Sequence, residues 1–370
     1  MKVGIPKEIK SQEYRVGITP ANAEILVMHG HQVFVESDAG IGSGFLNEHY
    51  EKVGVTILKS ADEVFDTADF IIKVKEPQPD ECKKIKKGQV IFTYLHLAPD
   101  REQTRLLLES EAIAIAYETV TDSNNALPLL TPMSAIAGRL AIQVGAQCLE
   151  KVRDGMGILM SGVHGTPPAR VLIIGGGIVG VNAARMAMGL EANVTILDTS
   201  LYRIQQLDDM YSPKLKALYS VKSTIEEQLM RADLVIGAVL IPGAAAPKIV
   251  TEEMIKSMKK KSVLVDVAID QGGCFETSKP TTHEHPIYEK HGVMHYCVMN
   301  MPSNVARTAT IALNNSTLSF ILTIANKGHM QALKQDYHLR NGLNIYYDKV
   351  TNKGVADSLG YKYHSPESLL

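Results

Sequence analysis

The chain has no tryptophan, no low-complexity segment and no long run of a single charge. Its formal net charge is only -2, so nothing electrostatic draws it to nucleic acid or to an anionic membrane surface. No apolar run reaches the length expected of a membrane-spanning helix. The longest, Leu234 to Val250, is broken by Gly237, Pro242, Gly243, Pro247 and Lys248. The opening Met1-Lys2-Val3-Gly4 lacks the apolar stretch of a signal peptide, so a cytoplasmic location is expected. Cysteines are few. Cys82, Cys148, Cys274 and Cys297 lie far apart and form no C-x-x-C, which reads as reduced thiols. His283 and His285 make an H-x-H with no third ligand at suitable spacing, so no metal is expected. At 370 residues the chain exceeds the usual single core and should divide into two domains.

What is present centres on Val171-Leu172-Ile173-Ile174, an unbroken aliphatic run suited to a strand buried on both faces. Gly175, Gly177 and Gly180 follow as G-x-G-x-x-G. The first glycine permits a tight turn, the second lets backbone N–H groups approach a pyrophosphate, and the third allows close helix-on-strand packing. Ile178 and Val179 open an Ala- and Met-rich helix whose N-terminus would face the phosphates. Asp198 ends the next strand, at the distance where an acid holds the adenosine ribose hydroxyls. That acid also repels a 2′-phosphate, and Thr199-Ser200 supply no cation, so NAD is favoured over NADP. Arg203, five residues on, is the nearest offsetting charge.

Elsewhere, Lys2 to Pro6 reads as a strand, Pro20 to His29 as a helix capped by Thr19 and stopped by Gly30, and Gln32 to Glu36 as a second strand. Ala39 to Gly44 spells G-x-G-x-G but opens no helix, and is expected to be a flexible loop. Ala68 to Pro77 resembles Ala232 to Pro242. Each precedes a Lys-rich stretch and another apolar strand, Val90 to His96 and Val263 to Asp270, so the two halves should share one α/β architecture. A helix is expected over Met133 to Arg153 and another over Thr308 to Ala325. The expected fold is therefore α/β, with two Rossmann-like doubly wound domains and a cleft between them. Residues 1–130 and 307–370 would form a discontinuous substrate domain, and 131–306 the NAD-binding domain. Ligands bind outside the carboxyl ends of such strands, which places Lys75, His96, Val239 and Asp270 along that cleft.

Several stretches resemble the alanine dehydrogenase/nicotinamide nucleotide transhydrogenase family. They are Gly4-Ile5-Pro6-Lys7-Glu8 with Arg15-Val16 and Thr19-Pro20, Lys73-Val74-Lys75-Glu76-Pro77, Leu95-His96-Leu97 and Ala116-Tyr117-Glu118-Thr119. Pro132-Met133-Ser134 with Gly138-Arg139, Val265 to Gly273, and Asn300-Met301-Pro302 complete the match. Two departures, Ser11-Gln12-Glu13-Tyr14 and Glu191-Ala192, touch loops rather than reacting groups. The resemblance implies NAD-dependent, reversible oxidative deamination of L-alanine to pyruvate and ammonium by a homohexamer. It leaves two alternatives: the soluble NAD(H)-binding subunit of a proton-translocating transhydrogenase, and a related amino-acid dehydrogenase.

Residue roles follow. Arg15 suits a bidentate grip on the substrate carboxylate, against the alternative of a lone surface arginine. Lys75 would bond the carboxylate or polarise the imine or carbonyl oxygen, rather than simply cap a strand. His96 is the candidate acid/base, because imidazole changes charge nearest working pH; a satisfied core histidine is the alternative. Asp270 would pass a proton through water and hold the ammonium-like species, while Asp266 reads as structural and Glu118 is given no direct act. For the cofactor the resemblance carries over Ser134, Ile178, Val179, Asp198, Arg203, Ser220, Val239, Leu240, Val267, Ala268, Ile269, Asp270, Lys279, Val298, Met299, Asn300 and Met301.

Overall fold

The computed structural model describes residues 1–239 and 246–370. They form two compact units, Met1–Met133 with Ser303–Leu370, and Ser134–Pro302. The first is built on β1 (Lys2–Ile5), β2 (Gln32–Glu36), β3 (Thr56–Leu58), β4 (Phe70–Ile72), β5 (Val90–Thr93) and β6 (Ile113–Ala116). The second uses β7 (Arg170–Ile174), β8 (Asn193–Asp198), β9 (Leu215–Tyr219), β10 (Leu234–Gly237), β11 (Val263–Asp266), β12 (Ile287–Lys290) and β13 (Val293–Tyr296). The chain then adds β14 (Leu343–Tyr346) and β15 (Lys349–Val350) to the first sheet.

Among the described residues the first sheet runs β15-β14-β6-β5-β4-β1-β2-β3 and the second β12-β13-β11-β10-β7-β8-β9. Setting aside the antiparallel edge strands β14, β15 and β12, the two orders correspond strand for strand. The repeat read between the halves is thus borne out: β4 and β5 occupy the places that β10 and β11 hold in the other sheet. Every residue of β4, β5, β6, β10 and β11 is buried, which is why these strands read as continuous apolar runs instead of alternating ones. In each sheet the order reverses beside the first strand, between β1 and β4 and between β7 and β10. Ligand crevices form outside the carboxyl ends at such points.

Several expectations need correction. The second-half strand stops at Asp266, because its side chain accepts the Ala268 N–H and winds Val267–Gln271 into a 3-10 turn. Asp270 therefore sits on that turn and does not share a strand face with Asp266. The β5 strand likewise ends at Thr93, leaving His96 in a turn. The bridging helix is Thr131–Cys148, with a separate 3-10 turn at Lys151–Arg153. Ala39 to Gly44 is not a loose loop: Ile41–Ser43 is a 3-10 turn, and the Ser43 hydroxyl donates to the Tyr14 carbonyl at 2.9 Å.

Residues 301–327 do reach membrane-crossing length and apolarity, with a mean hydropathy of 1.2 over the best window, contrary to expectation. Packing explains their composition. Thr310, Asn314 and Thr317 on this helix are buried polar residues. Thr310 Oγ1 accepts the Val16 N–H at 3.3 Å and Asn314 Oδ1 accepts the Thr19 N–H at 2.7 Å. Its polar side chains are thus partnered by the backbone of its own unit, as in a core helix.

Candidate functional site

In the first unit the predicted groups follow neighbouring strands. Lys75 follows β4 and His96 follows β5, and the Thr93 hydroxyl donates to the Lys75 carbonyl at 2.9 Å. Leu95 and Leu97 are buried while the His96 side chain is 47% exposed. The two leucines anchor the turn and leave the imidazole presented outward. His96 adopts φ 50, a left-handed conformation that costs a non-glycine residue about 1–3 kcal/mol when the surroundings impose it. The imposing group is Glu118: its carboxylate accepts the His96 N–H at 2.7 Å and the Leu95 N–H at 3.1 Å. Its Oε1 also lies 4.0 Å from His96 Nδ1, and the Tyr94 ring stacks on the imidazole at 6.0 Å. Glu118 therefore positions His96.

Arg15 is only 2% exposed, so it is no surface arginine. Glu13 holds it bidentately, accepting from Nε and from Nη2 at 2.6 Å each. Burial alone would weaken the guanidinium's hold on its proton, but the paired Glu13 charge outweighs it and raises the pKa. This engagement uses two of the five N–H donors a guanidinium carries, and it sets the plane of the fork. Arg15 also interacts electrostatically with Tyr94, whose ring rests on His96.

The sequence reading missed a buried charge cluster beneath Lys75. Lys73 is fully buried and donates to Glu8 at 2.9 Å and to Glu81 at 2.8 Å. Burial acts to strip its proton, yet the two carboxylates hold its pKa above the ordinary lysine range. Burial pushes Glu8 up, with Lys73 pulling against it. Removing one partner of such a buried pair costs about 3–5 kcal/mol. No local pattern signals this cluster, because Glu8 and Lys73 are 65 positions apart.

In the second unit the glycine turn is built as its spacing predicts. Gly175 has φ +106, and a Cβ there would lie 2.6 Å from the Ala238 carbonyl oxygen. A Cβ on Gly180 would come within 1.8 Å of the Gly175 oxygen. Gly177 is different: a Cβ there meets nothing within 4 Å. The turn is thus closed inside and open outward at Gly177, which caps the helix Ile178–Gly189. The first N–H groups of a helix have no intrahelical acceptor, so an anionic pyrophosphate fits this cradle.

Asp198 closes the far side, accepting the Gly176 N–H at 2.7 Å and the Ser200 N–H at 2.8 Å. Arg203 Nε donates to the Gly176 carbonyl at 2.6 Å, so it clasps the turn from below. The Ser220 N–H donates to the Asp198 carbonyl at 2.9 Å. Val239 follows β10 and lies 3.2 Å from the Gly175 Cβ position. Gly138 abuts the Val179 carbonyl, and Ser134 lies one turn earlier on that helix. Val267, Ala268 and Ile269 lie on the turn after β11, where Asp270 accepts the Asn300 N–H at 3.2 Å. That bond ties the turn to Val298, Met299, Asn300 and Met301. The Lys279 N–H donates to the Tyr288 hydroxyl at 2.8 Å and reaches Cys297, the neighbour of Val298, and Leu240 lies outside the described residues. Asp266 is buried and accepts from Ala268, Cys274 and Ser278, which makes it structural as read.

Fold and site together define an α/β protein with two related sheets, one carrying a dinucleotide fingerprint and the other the unit that holds Arg15, Lys75 and His96. The chain belongs to the alanine dehydrogenase/PNT family: that family's N-terminal domain matches residues 4–137 and its C-terminal domain residues 141–353. An alanine dehydrogenase from Halomonas elongata is 52% identical over 370 residues, covering 100% of both chains. A solved L-alanine dehydrogenase superposes with a TM-score of 0.95 at 47% identity, covering 97% of this chain and 99% of that one. A transhydrogenase from Sinorhizobium meliloti gives a TM-score of 0.82 at 25% identity, covering 95% and 99%.

Proposed function

We propose that the chain catalyses the NAD-dependent, reversible oxidative deamination of L-alanine to pyruvate and ammonium. The observation that carries this is the full-length match at 52% identity to an alanine dehydrogenase. The transhydrogenase alternative has less behind it, since the solved transhydrogenase is 25% identical against 47% for the L-alanine dehydrogenase.

In this mechanism Arg15 and Lys75 grip the alanine carboxylate and turn Cα toward the acceptor. The glycine turn would hold NAD, which when bound would supply the acceptor for the hydride that leaves Cα with its electron pair. Once the ammonium nitrogen has given one proton to solvent, loss of that hydride leaves the protonated imine of pyruvate. Lys75 beside this imine favours build-up of electron density away from Cα. Water then adds to Cα while the His96 imidazole takes its proton. The imidazolium returns that proton to nitrogen, the C–N bond breaks with its electron pair going to nitrogen, and the hydroxyl proton passes to the imidazole, so that ammonia leaves and the carbonyl of pyruvate forms. Asp270 offers a carboxylate to the departing ammonium, and the Asn300 N–H fixes its orientation.

The test is NADH formation by the purified chain from NAD and a panel of L-amino acids. L-Alanine should exceed glycine and serine in kcat/KM by about tenfold or more, as one methyl or hydroxyl in a fitted pocket decides. No NADH from L-alanine would refute the assignment. The working form is read as a homohexamer, as the resemblance implies, and light scattering should return six times the chain mass.

Asp198 is read as the ribose anchor. Asp198→Gly should raise the NADP-to-NAD ratio of kcat/KM about tenfold or more, because a repelling charge leaves the 2′ position. Part of the change should be lost NAD affinity, since Asp198 also holds Gly176 and Ser200. An unaltered ratio would place the ribose elsewhere.

A further inference from the structure

Residues 7 to 16 interrupt the βαβ pattern with polar sequence, and the roles above use only Arg15 from them. Four links tie this segment to residues 73–76, which include Lys75. Glu8 Oε2 accepts from Lys73, Glu8 Oε1 accepts the Val74 N–H at 2.6 Å and the Lys75 N–H at 3.3 Å, and Lys10 pairs with Glu76. Within the segment, Glu13 holds Arg15 through Nε and Nη2 and also accepts the Arg15 N–H at 3.1 Å. From the other side, Ser43 donates to the Tyr14 carbonyl, and the Val16 N–H is received by Thr310.

We propose that Glu8 and Glu13 are positioning residues: two buried carboxylates on one strap that fix the spacing between Lys75 and Arg15, and so the grip on the substrate carboxylate. The proposal rests on the reading of Arg15 and Lys75 as that grip. A planar carboxylate needs both cations at a set separation, and a lysine or arginine on an unsupported loop would not hold one. Glu8 supplies the separation by capturing two successive N–H groups at the start of the Lys75 turn. Glu13 supplies the orientation by locking the guanidinium plane. Neither acid needs to touch substrate. Both are buried, and their net charge is met mainly by Lys73 and Arg15.

The experiment compares Glu8→Gln and Glu13→Gln with Lys75→Gln and Arg15→Lys in the full chain. It measures KM for L-alanine and pyruvate, KM for NAD, the NADH dissociation constant and the melting temperature. The amide at either position keeps the shape but turns an NH2 toward donors that need an acceptor. KM for L-alanine should rise about 10- to 100-fold, the cost of a displaced binding group, while NADH affinity stays within about twofold. If Lys75→Gln and Arg15→Lys leave that KM unchanged, the substrate-grip reading fails. If they raise it and the glutamate variants do not, the positioning proposal fails. A joint rise in KM for alanine and for NAD would mark general loosening and also overturn it. Should a glutamine variant not fold, Lys10→Ala decides, because it breaks only the partly exposed link to Glu76. It should raise KM for L-alanine about two- to fivefold, and an unchanged KM overturns the proposal.

Discussion

His96→Ala should lower kcat for alanine oxidation by about 10²–10⁴-fold, the usual contribution of a positioned acid/base. NADH binding, if it belongs to the unit Ser134–Pro302 as proposed, should stay within about twofold of wild type. One complication lies in the backbone. His96 sits at φ 50, held there by Glu118, and alanine tolerates the left-handed region less well than histidine or asparagine. A loss of activity in His96→Ala could therefore arise from a relaxed turn that also moves Leu95 and Leu97. His96→Asn separates the two causes. Asparagine accepts the backbone geometry but cannot take up a proton near neutral pH. If the chemistry is lost, both variants fall equally. If the turn is what matters, His96→Asn recovers most of the rate. Near-normal turnover in both would remove His96 from the mechanism.

What could be read from the sequence was what depends on near neighbours. The run Val171 to Ile174, the three glycines after it and the acid at Asp198 all act within one βαβ unit, and their spacing carries the geometry directly. Leu95-His96-Leu97 is another local signal: two buried leucines state which way the histidine points. The correspondence of the two sheets could also be read, because β4 and β10 begin after the same Ala-Asp step. The missed features depend on residues far apart in the chain. Glu8 looks like an ordinary polar residue until Lys73 and Glu81 are folded around it, and Glu13 until Arg15 is buried against it. Val263 to Asp270 reads as one strand because the run is apolar except at the two aspartates. The capture of Ala268 by the Asp266 side chain breaks the strand there, and an apolar run cannot show which carboxylate turns back on its own backbone. The apolar spacing reads as a helix over Thr308 to Ala325, and the helix extends two residues further at each end, Ala306–Lys327, with Asn314 inside it. Asn314 is accounted for by Thr19 and Asn22, some three hundred residues earlier.

The glycine turn allows the cofactor reading to be tested without touching any reacting group, through two substitutions that should fail in different ways. Gly180→Ala places a methyl 1.8 Å from the Gly175 carbonyl oxygen, a distance no real contact sustains, so the helix Ile178–Gly189 must move off β7. Forced overpacking of this kind costs about 1–3 kcal/mol or more, and several degrees of melting temperature should go with it. NADH binding should fall about 100-fold, because the helix N-terminus no longer faces its ligand. Gly177→Ala is expected to keep the melting temperature of the wild type. Its backbone is at φ -71, open to any residue, and the added methyl touches no protein atom within 4 Å. That empty space is where the pyrophosphate must approach the N–H groups. Gly177→Ala should therefore bind NADH about tenfold or more weakly while remaining fully folded. A stable Gly177→Ala chain with wild-type NADH affinity would show that the phosphates do not lie at this turn, and the role given to Asp198 would fall with it. Weak binding in both variants with a stability loss confined to Gly180→Ala would separate the glycine that closes the turn from the one that leaves room for the ligand.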